Sequence, residues 1–238
     1  MIVSRSHDRL RLITQGDHAH FSAELLSLWK GQNLPDHPWR TEILRATRSH
    51  DNGWRELDAA PPLDPGTGHP WDFVDLPGHL RAELWQHGVE RMAGEPVVAA
   101  LVAMHALAIH SSGSPGVEIQ ELRAWLEEHI AELLEDANIS RHDLEQSYIF
   151  LDWADAASLA SCGVWDGRFG KAGLRGRFSA GVLELDPFPL VGATTFHIAY
   201  REIPARRYGG EADLGGELGA AKWRQMPVKV APTGPSSR

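Results

Sequence analysis

The chain holds a single cysteine, Cys162, so no disulfide can form within it. It has no run of about 18 uninterrupted apolar residues, which excludes an ordinary membrane-spanning helix. Its first residues, MIVSRSHDRL, carry no apolar signal core. With a lone thiol and no export signal, the cytoplasm is the expected location. Positive charge is also scarce: 23 Lys and Arg stand against 32 Asp and Glu, a net charge of -9. A general nucleic-acid binder needs a positive surface to displace counterions, so no nucleic-acid partner is expected, and no membrane partner either. A few local arginines could still hold a small phosphorylated substrate. There is no internal repeat, and assembly into a homo-oligomer is left open.

Histidine and tryptophan are abundant, 13 and 9 of 238 residues. Histidine is the commonest metal ligand and titrates nearest neutral pH. For any single one, a role as an ordinary surface or core residue is the simpler account, so the pattern has to carry the case.

The length suits a single domain over residues 1–238, with a helical core over about 17–162 and a β-rich C-terminal appendage over about 164–230. Residues 1–14 read as a hairpin whose polar turn holds Ser6, His7 and Asp8. Helices are expected over 17–31 with Asp17 as the cap, and over 41–49. The proline-rich stretch from 51 to 77 excludes a regular helix across it and reads as an ordered loop or lid. Further helices are expected over 78–92, 96–110, 117–136 and 141–161, with a Ser/Gly/Pro turn at 111–116. The segment PVVAALVAMHALAIH is apolar nearly all round, so it should be central and buried. After Gly163, runs such as FSAGVLEL and TTFHIAYREI alternate as strands do, and the terminal PTGPSSR reads as disordered. The expected class is mostly α, in effect an all-α bundle with a small β-sheet formed by the hairpin and the C-terminal strands.

The chemistry centres on His50-Asp51. An imidazole and a carboxylate at a helix end can both turn to one ion, a donor pair that suits Fe, Mn, Co or Zn. The dipeptide alone is weak, since His7-Asp8 and His142-Asp143 also occur. A wider set on separate helices strengthens it: His18 before it, then His79, His105 and Asp155. His18 and His20 lie about 200° apart around a helix, so only one faces inward. Phe21, Leu25 and Leu28 share the His18 face, which makes His18 the ligand candidate. A histidine in the apolar helix at His105 needs a partner or a metal. A carboxylate at Asp155, amid Trp153, Leu159 and Cys162, is costly unless paired or ligating, with Asp152 as its rival. Arg45, Arg48, Arg55 and Arg81 are near in sequence, and an arginine there could hold phosphate in a fork. Solvated helix faces are the simpler account of each. Arg48, Arg55 and Trp54 are the candidates for substrate contact, and His50 and Asp51 for catalysis.

The order His18, His50-Asp51, His79, His105, Asp155 resembles that of the HD-domain superfamily, as do the strings HDNGW and ADAASL. This resemblance implies a helical fold, one or two divalent ions (Mn, Fe, Zn, Co, Ni or Mg) and, often, phosphoester hydrolysis. The strings LITQGDHAHFSAELLSLW, HDNGW, LDPGTGHPWDF and ADAASL are similar to an uncharacterised bacterial family, domain of unknown function 3891, over nearly the whole chain. Three functions follow as expectations. The first is a metal-dependent phosphohydrolase acting on a phosphoester or nucleotide. The second is a dinuclear iron oxygenase, as in HD proteins such as myo-inositol oxygenase, which use a similar six-residue set. The third is a non-enzymatic binding module with a degenerate site.

Overall fold

The structure, a computed structural model, describes residues 1–111 and 116–234. Residues 112–115 of the expected turn and 235–238 of the terminal PTGPSSR lie outside the described residues. The chain opens with a hairpin of β1 (Ile2–Ser6) and β2 (Arg9–Ile13), paired with Val3 opposite Leu12. Helix α1 (Gln15–Ser27) follows at once. Its cap is Thr14 rather than Asp17: the Thr14 hydroxyl accepts from the Asp17 backbone N–H at 2.9 Å and donates to the Asp17 carboxylate at 2.5 Å. The helix therefore starts earlier than its apolar spacing suggests, because the cap chemistry lies one turn upstream.

Helix α2 (Arg40–Ser49) runs into a 3-10 turn (Asn52–Trp54) and the short α3 (Arg55–Ala59). Residues 60–77 are irregular, as the prolines require. They are tied to the hairpin: the Val3 N–H donates to Asp72 at 2.8 Å, and the Phe73 N–H donates to the Met1 carbonyl at 3.0 Å. Four helices follow: α4 (Gly78–Glu90), α5 (Pro96–Ile109), α6 (Val117–Ala137) and α7 (Arg141–Ser161). Helix α5 is buried without a break from Val97 to Ala106 and packs against α2, α4, α6 and α7. Among the described residues no helix is long and apolar enough to cross a membrane.

The C-terminal part corrects the expected fold class. It supplies β3 (Arg168–Lys171), β4 (Leu174–Ser179), β5 (Val182–Asp186), β6 (Thr194–Pro204), α8 (Glu211–Ala220) and β7 (Arg224–Pro232). With the hairpin these strands form one seven-stranded sheet, ordered β1-β2-β6-β7-β5-β4-β3. The sheet is mixed, since β5 and β7 pair in parallel. About half the chain is helical and the sheet is large and curled, so the protein is neither all-α nor an HD-like bundle with a small sheet. The physical reason is the shared core. Leu174, Leu183, Leu185, Ile198, Val228 and Val230 from the strands belong to the same buried cluster as the helical residues. Phe21 of α1 meets Phe196 of β6 at 5.5 Å, and Trp153 of α7 meets Phe169 of β3 at 6.3 Å. Burial of Phe21 alone contributes about 1.5–3 kcal/mol.

Helix α4 docks on the 3-10 turn through two glycines. A Cβ at Gly53 would lie 1.9 Å from the Leu84 carbonyl oxygen, and Gly88 faces Gly53 from the other side. The Asn52 side chain closes the contact by donating to the Gly88 carbonyl at 3.1 Å. Gly53→Ala should therefore destabilise the protein by about 2 kcal/mol or more, because backbone must move. A thermal melt checks this, with a fall of about 2–4 °C per kcal/mol for a chain of this size. An unchanged melt would mean that α4 does not dock as described.

Candidate metal centre

Three chain segments bring four side chains to one point. His18 comes from the inward face of α1, His50 and Asp51 from the end of α2, and Asp155 from the middle of α7. All four are buried, from 0% exposed at His50 to 7% at Asp155. His18 Nε2 lies 3.2 Å from His50 Nε2, 3.4 Å from Asp51 Oδ2 and 3.0 Å from Asp155 Oδ1. His50 Nε2 lies 3.1 Å from Asp51 Oδ2 and 3.4 Å from Asp155 Oδ1. His18 and His50 thus form a triangle with Asp51 and another with Asp155, each with edges of 3.0–3.4 Å, small enough for an ion at about 2.0–2.2 Å from its three corners. Two nitrogens and two oxygens suit Mn, Fe, Co, Ni or Zn.

Groups outside this set fix both rings. His50 Nδ1 is 2.7 Å from the Thr47 carbonyl oxygen, which can only accept, so Nδ1 carries the hydrogen. His18 Nδ1 is 2.7 Å from Ser158 Oγ. The Ser158 hydroxyl donates to the His18 carbonyl at 3.0 Å, so toward the ring it accepts. In their neutral forms both histidines therefore aim an Nε2 lone pair into the centre, the arrangement that metal-binding histidines use.

Protonation compensates the same cluster. Burial pushes His18 and His50 down, but hydrogen bonds and charge from Asp155 and Asp51 outweigh it. They raise His18 well above its ordinary value and His50 to about 9. Burial likewise pushes Asp51 and Asp155 up, and the two imidazoles more than reverse it, holding both carboxyls well below the usual range.

His105 of α5 stands beside this set, its ring 4.8 Å from that of His50. His50, His105 and Asp155 form a second group of potential ligand atoms within 4.8 Å of one another. Burial drives His105 down to about 4, so it is neutral. Its Nδ1 makes a long 3.3 Å contact with the Tyr148 hydroxyl.

The remaining candidates sit elsewhere. His79 is exposed at the start of α4 and belongs to neither group, because a helix-start position leaves its side chain in solvent. His20 is half-exposed, beside Arg48 and Glu24. Arg45 pairs with Glu95 at 2.6 Å. Arg48 and Arg55 are exposed and line a recess that shares Asp51 with the main cavity without reaching into it. Sequence proximity to the His-Asp pair put them forward, but the turn after His50 carries them outward.

The cavity itself holds about 280 Å³. His18, Asp51, His105 and Asp155 form part of its wall, and Trp54, Trp85, Phe73 and Trp165 form much of the rest. The 60–77 segment thus borders the site through Phe73 and Val74. Trp71 instead packs into the cluster under Leu76 and Leu84. Sequence reasoning missed Gln15, Trp85 and Ser158; it named Arg81 among four arginines that could hold phosphate but chose Arg48 and Arg55 as the substrate contacts, whereas of the four only Arg81 lines the cavity. Ser158 was legible in principle, three residues after Asp155 and so on a neighbouring face of α7.

Three tests follow. His18→Ala should abolish metal uptake while His20→Ala leaves it near normal, by elemental analysis of protein purified without chelators. Ser158→Ala should weaken metal affinity about 10- to 100-fold, by competition with a chelator. The third is pH-dependent. A histidine with a folded pKa near 9 stabilises the metal-free protein fully below its ordinary value of 6.5, and that contribution is lost as pH rises through 9. For His50 this is up to about 3 kcal/mol. Metal-free melting temperatures should thus fall between pH 6.5 and 9, while metal affinity rises over the same range as protons leave the ligands. A flat metal-free profile would mean that the ion pairs do not form.

The family model described as protein of unknown function (DUF3891) matches residues 1–204. No curated protein and no solved structure matches the chain, so the HD resemblance finds no support there.

Proposed function

This chain belongs to the family of proteins of unknown function DUF3891; since that premise assigns no activity, we propose from the site alone that it is a metal-dependent hydrolase of a small phosphorylated molecule. One observation carries the reading: the donor atoms of four buried side chains have five separations of 3.0–3.4 Å, the two rings are pinned by Thr47 and Ser158, and His18, Asp51 and Asp155 open onto a cavity. A divalent ion held there would supply Lewis acidity, lowering the pKa of a water and polarising a phosphoryl oxygen.

His18, His50, Asp51 and Asp155 bind the ion, and Ser158 and the Thr47 carbonyl hold the two rings in register. His105, neutral and at the cavity wall, offers a hydrogen-bond acceptor to a water or substrate hydroxyl. The tryptophans exclude bulk water, which strengthens each polar contact inside. At about 280 Å³ the cavity lies near the low end for small-molecule sites, which favours a small substrate over a polymer. The buried free thiol of Cys162 agrees with a reducing compartment, so the proposed location is the cytoplasm.

The oxygenase alternative draws on six ligands. With His79 exposed, the set is reduced, and a single ion at the four-atom centre is the better fit. The test is a panel of phosphomonoesters and nucleotides assayed with Mn, Mg, Co, Ni and Fe. Phosphate release that needs metal, and that drops at least about 100-fold in Asp51→Asn and Asp155→Asn, is expected. No release with any metal, together with oxygen consumption by iron-loaded protein, would replace the hydrolase by the oxygenase.

A further inference from the structure

Beyond the four ligands, the same cavity collects polar atoms that the fold leaves without partners. Gln15 Oε1, Trp54 Nε1 and Arg81 Nε are each buried with no hydrogen-bond partner, and all three residues line the cavity. Gln15 is only 2% exposed and Trp54 3%. Buried orphan donors and acceptors are uncommon, because each forfeits its hydration without return. Arg81 has no acidic partner among the described residues, although the chain carries nine more acidic than basic side chains. Other arginines also lack an acidic partner, but Arg81 is the one among the described residues that lines this cavity, with its Nε buried there.

The rim is of a different character. Val74, Ile109 and Trp165 line the cavity and are 54%, 50% and 54% exposed. They come from three separate segments, the 60–77 loop, the end of α5 and the turn after α7. Trp165 is held there with φ at 53°, in the left-handed region. Single exposed apolar residues need no explanation, but three of them around one opening do.

Resting on the hydrolase reading, we propose that Arg81 and Trp54 Nε1 anchor the phosphate of the substrate, and that the Val74, Ile109 and Trp165 rim holds an apolar body. The substrate class is then a phosphate monoester with an aromatic or otherwise apolar alcohol portion. Arg81 and Trp54 supply donors to unprotonated phosphate oxygens, and Gln15 Oε1 accepts from a protonated one. This division sets the charged end against Arg81 and Trp54 on the cavity wall and the apolar end at its mouth.

The test is calorimetric titration, with metal supplied, of wild type, Arg81→Gln and Trp165→Ala with phenyl phosphate, methyl phosphate and benzoate. Metal content and melting temperature are measured on each protein. Neither substitution removes a contact that the fold depends on, since Arg81 is unpaired and Trp165 is exposed. Phenyl phosphate should bind wild type more tightly than the other two. Arg81→Gln should weaken it about 10- to 100-fold at unchanged metal content and melting temperature. Trp165→Ala should bring phenyl and methyl phosphate closer together. Equal binding by wild type and Arg81→Gln overturns the anchor. Benzoate binding as tightly as phenyl phosphate overturns the phosphate, and an unchanged preference in Trp165→Ala overturns the apolar rim. No binding of any of the three by wild type overturns the whole assignment. Wild type that takes up no metal sinks the hydrolase reading alone, and the Arg81→Gln comparison still decides the anchor.

Discussion

The desolvation of four polar groups at one point constrains everything around it. An imidazole or carboxylate buried alone would carry a penalty of several kcal/mol if charged. His18, His50, Asp51 and Asp155 offset it by pairing imidazole with carboxylate at spacings of 3.0–3.4 Å. The contact between α1 and α7 is accordingly made with small side chains near the centre. Ala19, Ala154, Ala157 and Ser158 are all buried. Ser158 joins the two helices directly, accepting from the His18 ring and donating to the His18 carbonyl.

The sheet braces this arrangement from outside. Phe196 of β6 presses on Phe21, three residues after His18, and Phe169 of β3 presses on Trp153, two residues before Asp155. Two strands that lie far apart in the sheet order thereby fix the two helices that carry the ligands. The hairpin extends the same support to the cavity. It pairs with β6 through β2, and it ties down the 60–77 segment through Val3 and Met1. That segment then presents Phe73 and Val74 to the cavity. Proline-rich chain with few internal hydrogen bonds could not hold such a position by itself.

Helical periodicity and chemistry made the centre legible in the sequence. His18 shares a face with Phe21 and Leu25, while His20 falls on the opposite side, so phase alone separates them. Asp155 stands out as a carboxylate amid tryptophan, alanine and leucine. His79 failed the same reasoning because a helix-start residue has no neighbouring turn to bury it. Arg48 and Arg55 failed because nearness in sequence says nothing about direction once a 3-10 turn intervenes. The strands were legible as strands, but the extent of the sheet was not. Its pairings join residues nearly 200 apart, such as Leu12 with Arg201, and no local pattern encodes that. Helix α8 escaped notice because Gly215, Gly216 and Gly219 lower its propensity; burial of Leu214 and Leu218 against the hairpin overrides them.

The hydrogen-bond directions distinguish this cluster from an ordinary pair of core histidines. In a core pair, one ring commonly turns an N–H toward the lone pair of the other, and neither needs a charge. Here the Thr47 carbonyl can only accept, and the Ser158 hydrogen is committed to the His18 backbone, so both Nδ1 atoms carry hydrogens. Neutral rings would then set lone pair against lone pair at 3.2 Å, with two carboxylate oxygens closing on the same point. Four electron-rich atoms converging in a dry site repel one another unless positive charge lies among them. Protons satisfy the requirement at lower pH, where the two imidazoles carry the positive charge that the carboxylates face. As those protons leave, the same four atoms present the arrangement of lone pairs on which the proposed metal site rests. Their positions are fixed by packing that a metal ion would not have to organise.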